Sequence, residues 1–256
     1  MADWNSAQYL KFAGERTQPS LDLVNRIIGN PQKLVDIGCG PGNSTEVLAR
    51  RFPNAAVIGV DNSPNMIESA RKQHPELTFE LCDVSTEVTT LGNDFDVIFS
   101  NACIQWVPDH PKLLRNLLGL LKPGGQLAVQ IPNQDAAPIH RILRETADSA
   151  EWKDYFSKNP RTYYSLTAEG YFDLLAEIAS EFNIWETTYF HIMNTHRDIL
   201  EWYRGTGMRP YLSALPEEKR EAFEREVYKR TVETYPVQKN GQIIFRFPRL
   251  FFTARP

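Results

Sequence analysis

The stretch "LVDIGCGPGNSTEVLARRF", residues 34–52, sets Gly38, Gly40 and Gly42 at every second position between a short apolar run and a segment of helical periodicity. A glycine turn between a strand and a helix lets backbone approach a ligand where no Cβ intervenes, and the helix start offers free N–H groups. The pattern is not that of a phosphate binder. A dinucleotide fingerprint needs G-x-G-x-x-G, and Asn43 stands where its last glycine would fall; a P-loop needs Gly-Lys-Ser or Gly-Lys-Thr, which does not follow. Asp36, two residues before the first glycine, suits a cationic ligand better than a phosphate.

Outward from this loop, short β-type runs alternate with helical periodicity, as in a parallel sheet covered by helices. The spacing predicts a helix over 20–28, opened by "QPSLDL", strands at 34–37, 56–60 ("AVIGV"), 77–81 ("LTFEL"), 95–100 ("FDVIFS") and 126–131 ("QLAVQI"), and helices at 44–51, from Pro64 and at 111–121. Ser63 and Pro64 mark a helix start by capping chemistry. Beyond Asn133 the rhythm becomes helical and aromatic, then returns to strands in "FNIWETTYFHIM" (182–193) and "IIFRFPRLFFTA" (243–254). The stretches 133–182 and 195–238 are longer than ordinary connections. They are expected to form helical insertions that cover a substrate, while 1–132 forms the cofactor-binding core of a single domain spanning 1–256.

Asp61 ends the second strand, where a carboxylate can accept from both hydroxyls of a ribose; Asp83 follows the third, where an acceptor can meet an adenine amino group. Three acids at successive carboxyl ends line one edge of the sheet, the crevice where open α/β sheets bind ligands.

Composition narrows the class further. The 256 residues are 42% hydrophobic, sufficient for a conventional core, and the net charge of −4 argues against nucleic acid as a partner. The charge is uneven: residues 195–256 hold 12 Lys and Arg against 8 Asp and Glu, so a small anion is better received there. Three cysteines without paired spacing, a start lacking a leader pattern and no apolar run near the roughly 20 residues that span a bilayer predict a cytoplasmic protein without membrane contact. His191 and His196 lack metal-ligand spacing, so no metal is expected. His110, in "PDHPK", reads as part of a helix start rather than a general base.

The motifs "VDIGCGPG", "GVDNS", "CDV", "FDVIFSNACIQWV" and "LLKPGGQLAVQIP", in this order over residues 30–132, resemble those of class I S-adenosylmethionine-dependent methyltransferases. The resemblance implies a Rossmann-like, doubly wound α/β sheet of seven strands, mostly parallel with the last antiparallel, and helical insertions after strands 5 and 6. It implies S-adenosyl-L-methionine as cofactor, held by Asp36, Gly38, Gly40, Gly42, Asp61, Asn62, Asp83 and Val84. Asn101, Ala102 and Trp106 would stand where the methyl group is presented, Trp106 having a core packing role as its alternative. Tyr9, in an aromatic N-terminal stretch, would close over the sulfonium, with a cation–π attraction of about 0.5–2 kcal/mol.

Over nearly the whole chain, "WNSAQYLKF", "SNACIQWVPDH", "WETTYFHIM", "WYRGTGMRPYL" and "FPRLFFTA" resemble the trans-aconitate 2-methyltransferases, which methylate one carboxylate of a tricarboxylic acid. An ionised carboxylate needs no general base, so none is expected. Arginine forks and tyrosines suit a polycarboxylate, and Arg161, Tyr164, Arg204 and Arg209 are the candidates. Alternatives left open are another small acid or a malonyl thioester as acceptor, and a binding protein without turnover. The expected species is a monomer or weak homodimer.

Overall fold

The computed structural model describes residues 13–133, 137–156 and 163–256. Seven strands, β1 (Lys33–Ile37), β2 (Ala56–Asp61), β3 (Thr78–Leu81), β4 (Phe95–Asn101), β5 (Leu121–Pro132), β6 (Glu181–Met193) and β7 (Ile243–Arg255), form one sheet in the order β3-β2-β1-β4-β5-β7-β6. Strands β1 to β5 pair in parallel, and β7 runs antiparallel to β5 from Leu127↔Ala254 to Pro132↔Arg249. This is the expected doubly wound α/β sheet. Strand order reverses between β1 and β4, which opens a crevice beyond their carboxyl ends.

Local chemistry explains the helix starts. In α3 (Pro64–Gln73), Ser63 Oγ accepts from Met66 N at 3.2 Å with Pro64 at the first position; in α4 (His110–Gly119), the Asp109 carboxylate accepts from Lys112 N at 3.2 Å. The preceding helices are α1 (Ala13–Val24) and α2 (Asn43–Arg51). The expected helix at 20–28 is shifted: α1 begins earlier and carries Pro19 inside it. It ends at Val24, after which Arg26 N and Ile27 N close onto the Leu23 and Val24 carbonyls. Fully buried Leu23 and Val24 anchor it, and packing of that kind holds the helix together across Pro19.

Alternation along the strands separates two chemically different faces. One carries Val35, Ile37, Ile98, Val129, Ile131, Leu250 and Phe252, which join Leu113, Leu114 and Leu117 of α4 in a single apolar core. The other carries Asp36, Asp61, Asn101 and Gln130 at the carboxyl ends of β1, β2, β4 and β5, as the registers Asp36↔Gly59, Asp36↔Phe99 and Asn101↔Gln130 require.

The chain divides into two compact units. The first runs to Pro132 and includes Tyr163–Thr187 and Arg249–Pro256; the second contains the described part of 133–162 with Thr188–Pro248. Helix α7 (Ala168–Ile178) therefore lies with the first unit, inside the stretch 133–182 expected as an insertion. Tyr171, Leu174 and Leu175 belong to the apolar core, a tie that local periodicity does not display. The remaining helices are α5 (Pro138–Ala147), α6 (Lys153–Phe156), α8 (His196–Arg204), α9 (Arg209–Ala214) and α10 (Glu217–Thr234). All five lie in the second unit, where Trp202, Tyr203, Phe245 and Phe247 pack ring against ring at centroid distances of 5.6–6.1 Å. Among the described residues no helix is long and apolar enough to cross a membrane.

Candidate active site

The glycine loop is an extension of β1. Gly38 N and Cys39 N both donate to Val60 O, at 2.7 and 2.9 Å, before Gly42 N turns back onto Cys39 O. Gly38, Gly40 and Gly42 all have left-handed backbone, with φ of 72°, 55° and 97°. Their surroundings differ. A Cβ at Gly38 would sit 2.2 Å from Cys103 Sγ, whereas among the described residues a Cβ at Gly40 would meet nothing within 4 Å. Gly38 is thus required by packing, and Gly40 borders open space that a ligand can use.

Asp36 is fully buried. Its Oδ2 accepts from Ser44 Oγ at 2.6 Å and Thr45 Oγ1 at 2.7 Å, both from the first turn of α2, while Oδ1 is buried without a hydrogen-bond partner. Burial pushes its carboxyl up from 3.8 to about 6, against the opposing hydroxyl bonds and with a further push from Asp61. A buried carboxylate oxygen left unpaired is costly unless something cationic or a donor meets it. Ser44 and Thr45 were not among the expected site residues; hydroxyls one turn into the helix were their only signal.

Asp61 holds the loop from the other side. Its Oδ2 accepts from Gly40 N at 3.0 Å and its Oδ1 from Ser63 N at 2.9 Å. These two backbone donors, one from the glycine loop and one from the turn after β2, fix the carboxylate at the end of β2. Asn62 lies between the two anchored segments. Asp83 Oδ1 takes Ser85 N and Ser85 Oγ at 3.0 and 2.6 Å, which locks the turn after β3. The Val84 side chain is part of the apolar core, so any ligand contact there falls to its backbone.

At the end of β4, Asn101 Oδ1 is buried without a partner, and Ala102, with φ 57°, donates its N–H to Gln130 O at 2.8 Å. Trp106 is half-buried outside the core, its ring 4.6 Å from that of Tyr163. His110 is structural: Nε2 donates to Ile104 O at 2.9 Å, which leaves Nδ1 to accept from Tyr171 Oη at 2.6 Å. Burial lowers its pKa, so the ring is held neutral and pins the turn Ile104–Trp106.

Tyr9 and Arg161 lie outside the described residues. Tyr164 donates its backbone N–H to Gln105 O at 3.0 Å and exposes its ring. In the second unit, Arg204 is gripped by Glu224 through Nε and Nη2 at 3.0 and 2.7 Å, with Glu201 3.3 Å away, and half-buried Arg209 opens α9. Among the described residues no group of three or more His, Cys, Asp and Glu could hold a metal ion.

The methyltransferase domain family matches residues 34–125, from the glycine loop to the start of β5. A trans-aconitate 2-methyltransferase of Methylobacterium radiotolerans is 44% identical over 100% of this chain and 99% of its own length; that of Variovorax paradoxus is 41% identical with the same coverage. The chain belongs to the family of these methyltransferases. A phosphoethanolamine N-methyltransferase 2 of Haemonchus contortus, solved with S-adenosyl-L-methionine, superposes with a TM-score of 0.61 at 19% identity, over 98% of this chain and 56% of its own. That likeness shows the shared fold.

Within this methyltransferase family, the open space at Gly40 yields a separable expectation. Gly40→Ala keeps a tolerable left-handed backbone at a cost of about 1–2 kcal/mol, so the melting temperature falls by no more than about 8 °C. Affinity for S-adenosylhomocysteine falls at least about tenfold, because the added methyl occupies the ligand's space. Calorimetric titration beside thermal melting checks both, and unchanged affinity would remove Gly40 from the site.

Proposed function

We propose that this chain transfers the methyl group of S-adenosyl-L-methionine to one carboxylate of trans-aconitate, forming a monomethyl ester. The observation that carries this reading is the 41–44% identity to trans-aconitate 2-methyltransferases over the whole chain. The buried, half-satisfied Asp36 beside an open glycine loop supports a cationic ligand at that position.

S-adenosyl-L-methionine supplies a sulfonium methyl group open to in-line displacement. Asp36 offers Oδ1 to the ligand's cationic end, Asp61 receives the ribose while holding Gly40 and Ser63 in place, and Asp83 with the Val84 backbone meets the adenine. Asn101, Ala102 and Trp106 border the methyl group, and Tyr9 closes over it. The acceptor carboxylate, ordinarily titrating at a pH of about 4, is ionised at neutral pH and needs no base. What the protein contributes is alignment and exclusion of water, worth up to roughly 7–11 kcal/mol of the barrier. Arg161, Tyr164, Arg204 and Arg209 are proposed for the acid's remaining carboxylates, an entering carboxylate displacing Glu224 from Arg204. The active species is proposed to be a cytoplasmic monomer or weak homodimer that engages neither nucleic acid nor membrane.

Incubation of the protein with S-adenosyl-L-methionine and trans-aconitate is expected to yield a product heavier by one methylene, with one carboxyl fewer to titrate. Absence of that ester overturns the reading. Turnover of another acid in a panel that includes a malonyl thioester would reassign the acceptor, and tight S-adenosylhomocysteine binding without turnover of any acid would indicate a regulator.

A further inference from the structure

Two glutamines of β5, Gln126 and Gln130, lie four residues apart on the same face of the sheet. Gln126 is paired at both ends: its Oε1 accepts from Ile28 N and its Nε2 donates to Arg26 O, both at 3.1 Å. Gln130 is 0% exposed, and neither its Oε1 nor its Nε2 has a hydrogen-bond partner. Each buried amide group left unpaired costs about 1–3 kcal/mol. A fold that satisfies one glutamine and strands its neighbour at the ligand edge has kept that side chain for something other than stability.

The position of Gln130 says what it would meet. Across the sheet in strand order, the carboxyl-end residues of this face are Asp61 on β2, Asp36 on β1, Asn101 on β4 and Gln130 on β5. The row changes from anionic to neutral along its length. Its acidic half fits the cationic methyl donor; beyond Asn101, the next strand presents an amide N–H₂. Carboxylates only accept hydrogen bonds, so a stranded N–H₂ is a matching partner.

A neutral donor is also the right chemistry beside a sulfonium. A lysine or arginine there would repel the donor, since two unit charges about 4 Å apart interact by roughly 4 kcal/mol at an effective dielectric of 20. It would also hold the nucleophile's electron density in an ion pair. An amide orients the oxygen without either effect.

We propose that Gln130 binds the acceptor carboxylate that receives the methyl group, its Nε2 donating to the carboxylate oxygen that does not attack. The inference rests on the carboxyl methyltransferase reading above. No residue of the glycine loop is involved, so cofactor binding and acceptor binding separate in the test.

Gln130→Met and Gln130→Glu are compared with the wild type by S-adenosylhomocysteine calorimetry, melting and steady-state kinetics on trans-aconitate. Loss of one hydrogen bond to a charged group corresponds to about 10- to 100-fold. Both variants are expected to bind S-adenosylhomocysteine within threefold of the wild type. Gln130→Met loses about 10- to 100-fold in kcat/KM for the acid, and Gln130→Glu loses more, because its carboxylate repels the acceptor. Ligand-free Gln130→Met melts about 2–4 °C higher, as expected when a stranded polar group is replaced by an apolar one of similar shape. Acid kinetics within twofold of the wild type, equal losses for acid and cofactor, or a Gln130→Met protein that no longer binds S-adenosylhomocysteine would each overturn the assignment. A wild type that methylates no acid overturns the underlying reading instead, and a wild type that prefers another acid moves the same kinetic comparison to that acid.

Discussion

Gly38→Ala is expected to be among the most damaging single-methyl additions in the chain. The new Cβ would lie 2.2 Å from Cys103 Sγ and 2.3 Å from Cys103 Cβ, on backbone with φ 72°. Left-handed backbone costs an L-residue about 1–2 kcal/mol, and overpacking typically adds about 1–3 kcal/mol. A loss of about 3–4 kcal/mol lowers the melting temperature by roughly 6–16 °C. Relief at Gly38 cannot be local, because its N–H is bonded to Val60 O and the next residue carries the rest of the loop. S-adenosylhomocysteine binding should therefore fall together with stability, unlike in Gly40→Ala. Cys103→Ala leaves the Cβ contact in place and rescues little, whereas Cys103→Gly removes both clashing atoms. A Gly38→Ala/Cys103→Gly protein that melts no higher than Gly38→Ala alone would show that the clash is not the cause.

Asp36→Asn is expected to move stability and binding in opposite directions. The folded-state pKa of Asp36 is raised, from 3.8 to about 6, by burial. The native state therefore holds the proton more tightly than the unfolded chain. Its contribution is fully favourable below pH about 4 and is lost as pH rises through about 6. Above that window the ionised carboxylate destabilises the ligand-free protein, by an amount on the order of 2–3 kcal/mol at 1.36 kcal/mol per pKa unit. The asparagine of Asp36→Asn carries no charge but leaves a buried N–H₂ where Oδ1 stood, so a net gain of about 1–2 kcal/mol is expected at pH 8. At pH 4 the gain should vanish.

Binding moves the opposite way. Removing one member of a buried charge pair costs about 3–5 kcal/mol, so S-adenosyl-L-methionine affinity at pH 8 should fall at least 100-fold. In the wild type the same affinity should weaken as pH falls through 6 and Asp36 takes up its proton. Melting between pH 4 and 8 alongside calorimetry checks both halves. An Asp36→Asn protein that binds the cofactor within threefold of the wild type would exclude Asp36 from its binding.

Much of the cofactor half was legible because its signals are local. Asp36 and the three glycines lie within one turn, and each needs only the chain near it to announce its geometry. The caps at Ser63 and Asp109 are of the same kind, with donor and acceptor three residues apart. The start of α1 was misplaced for the converse reason: "QPSLDL" reads locally as a helix start, but Pro19 lies inside a helix that begins at Ala13 and is anchored by buried Leu23 and Val24. Tyr171, Leu174 and Leu175 likewise read as one more amphipathic helix until the core they join is known.

By itself, then, the amino-acid order determined the alternating strands and helices, the glycine loop between β1 and α2, and the acids at the strand ends, all from contacts within a few residues. Only the tertiary structure decided that Cys103 makes Gly38 obligatory, that His110 is consumed by Ile104 and Tyr171, and that Gln126 is satisfied while Gln130 is not. These depend on which loops, helices and strands, distant in sequence, the fold brings together. Register across a parallel sheet is set by neighbours tens of residues away, and no local spacing records it.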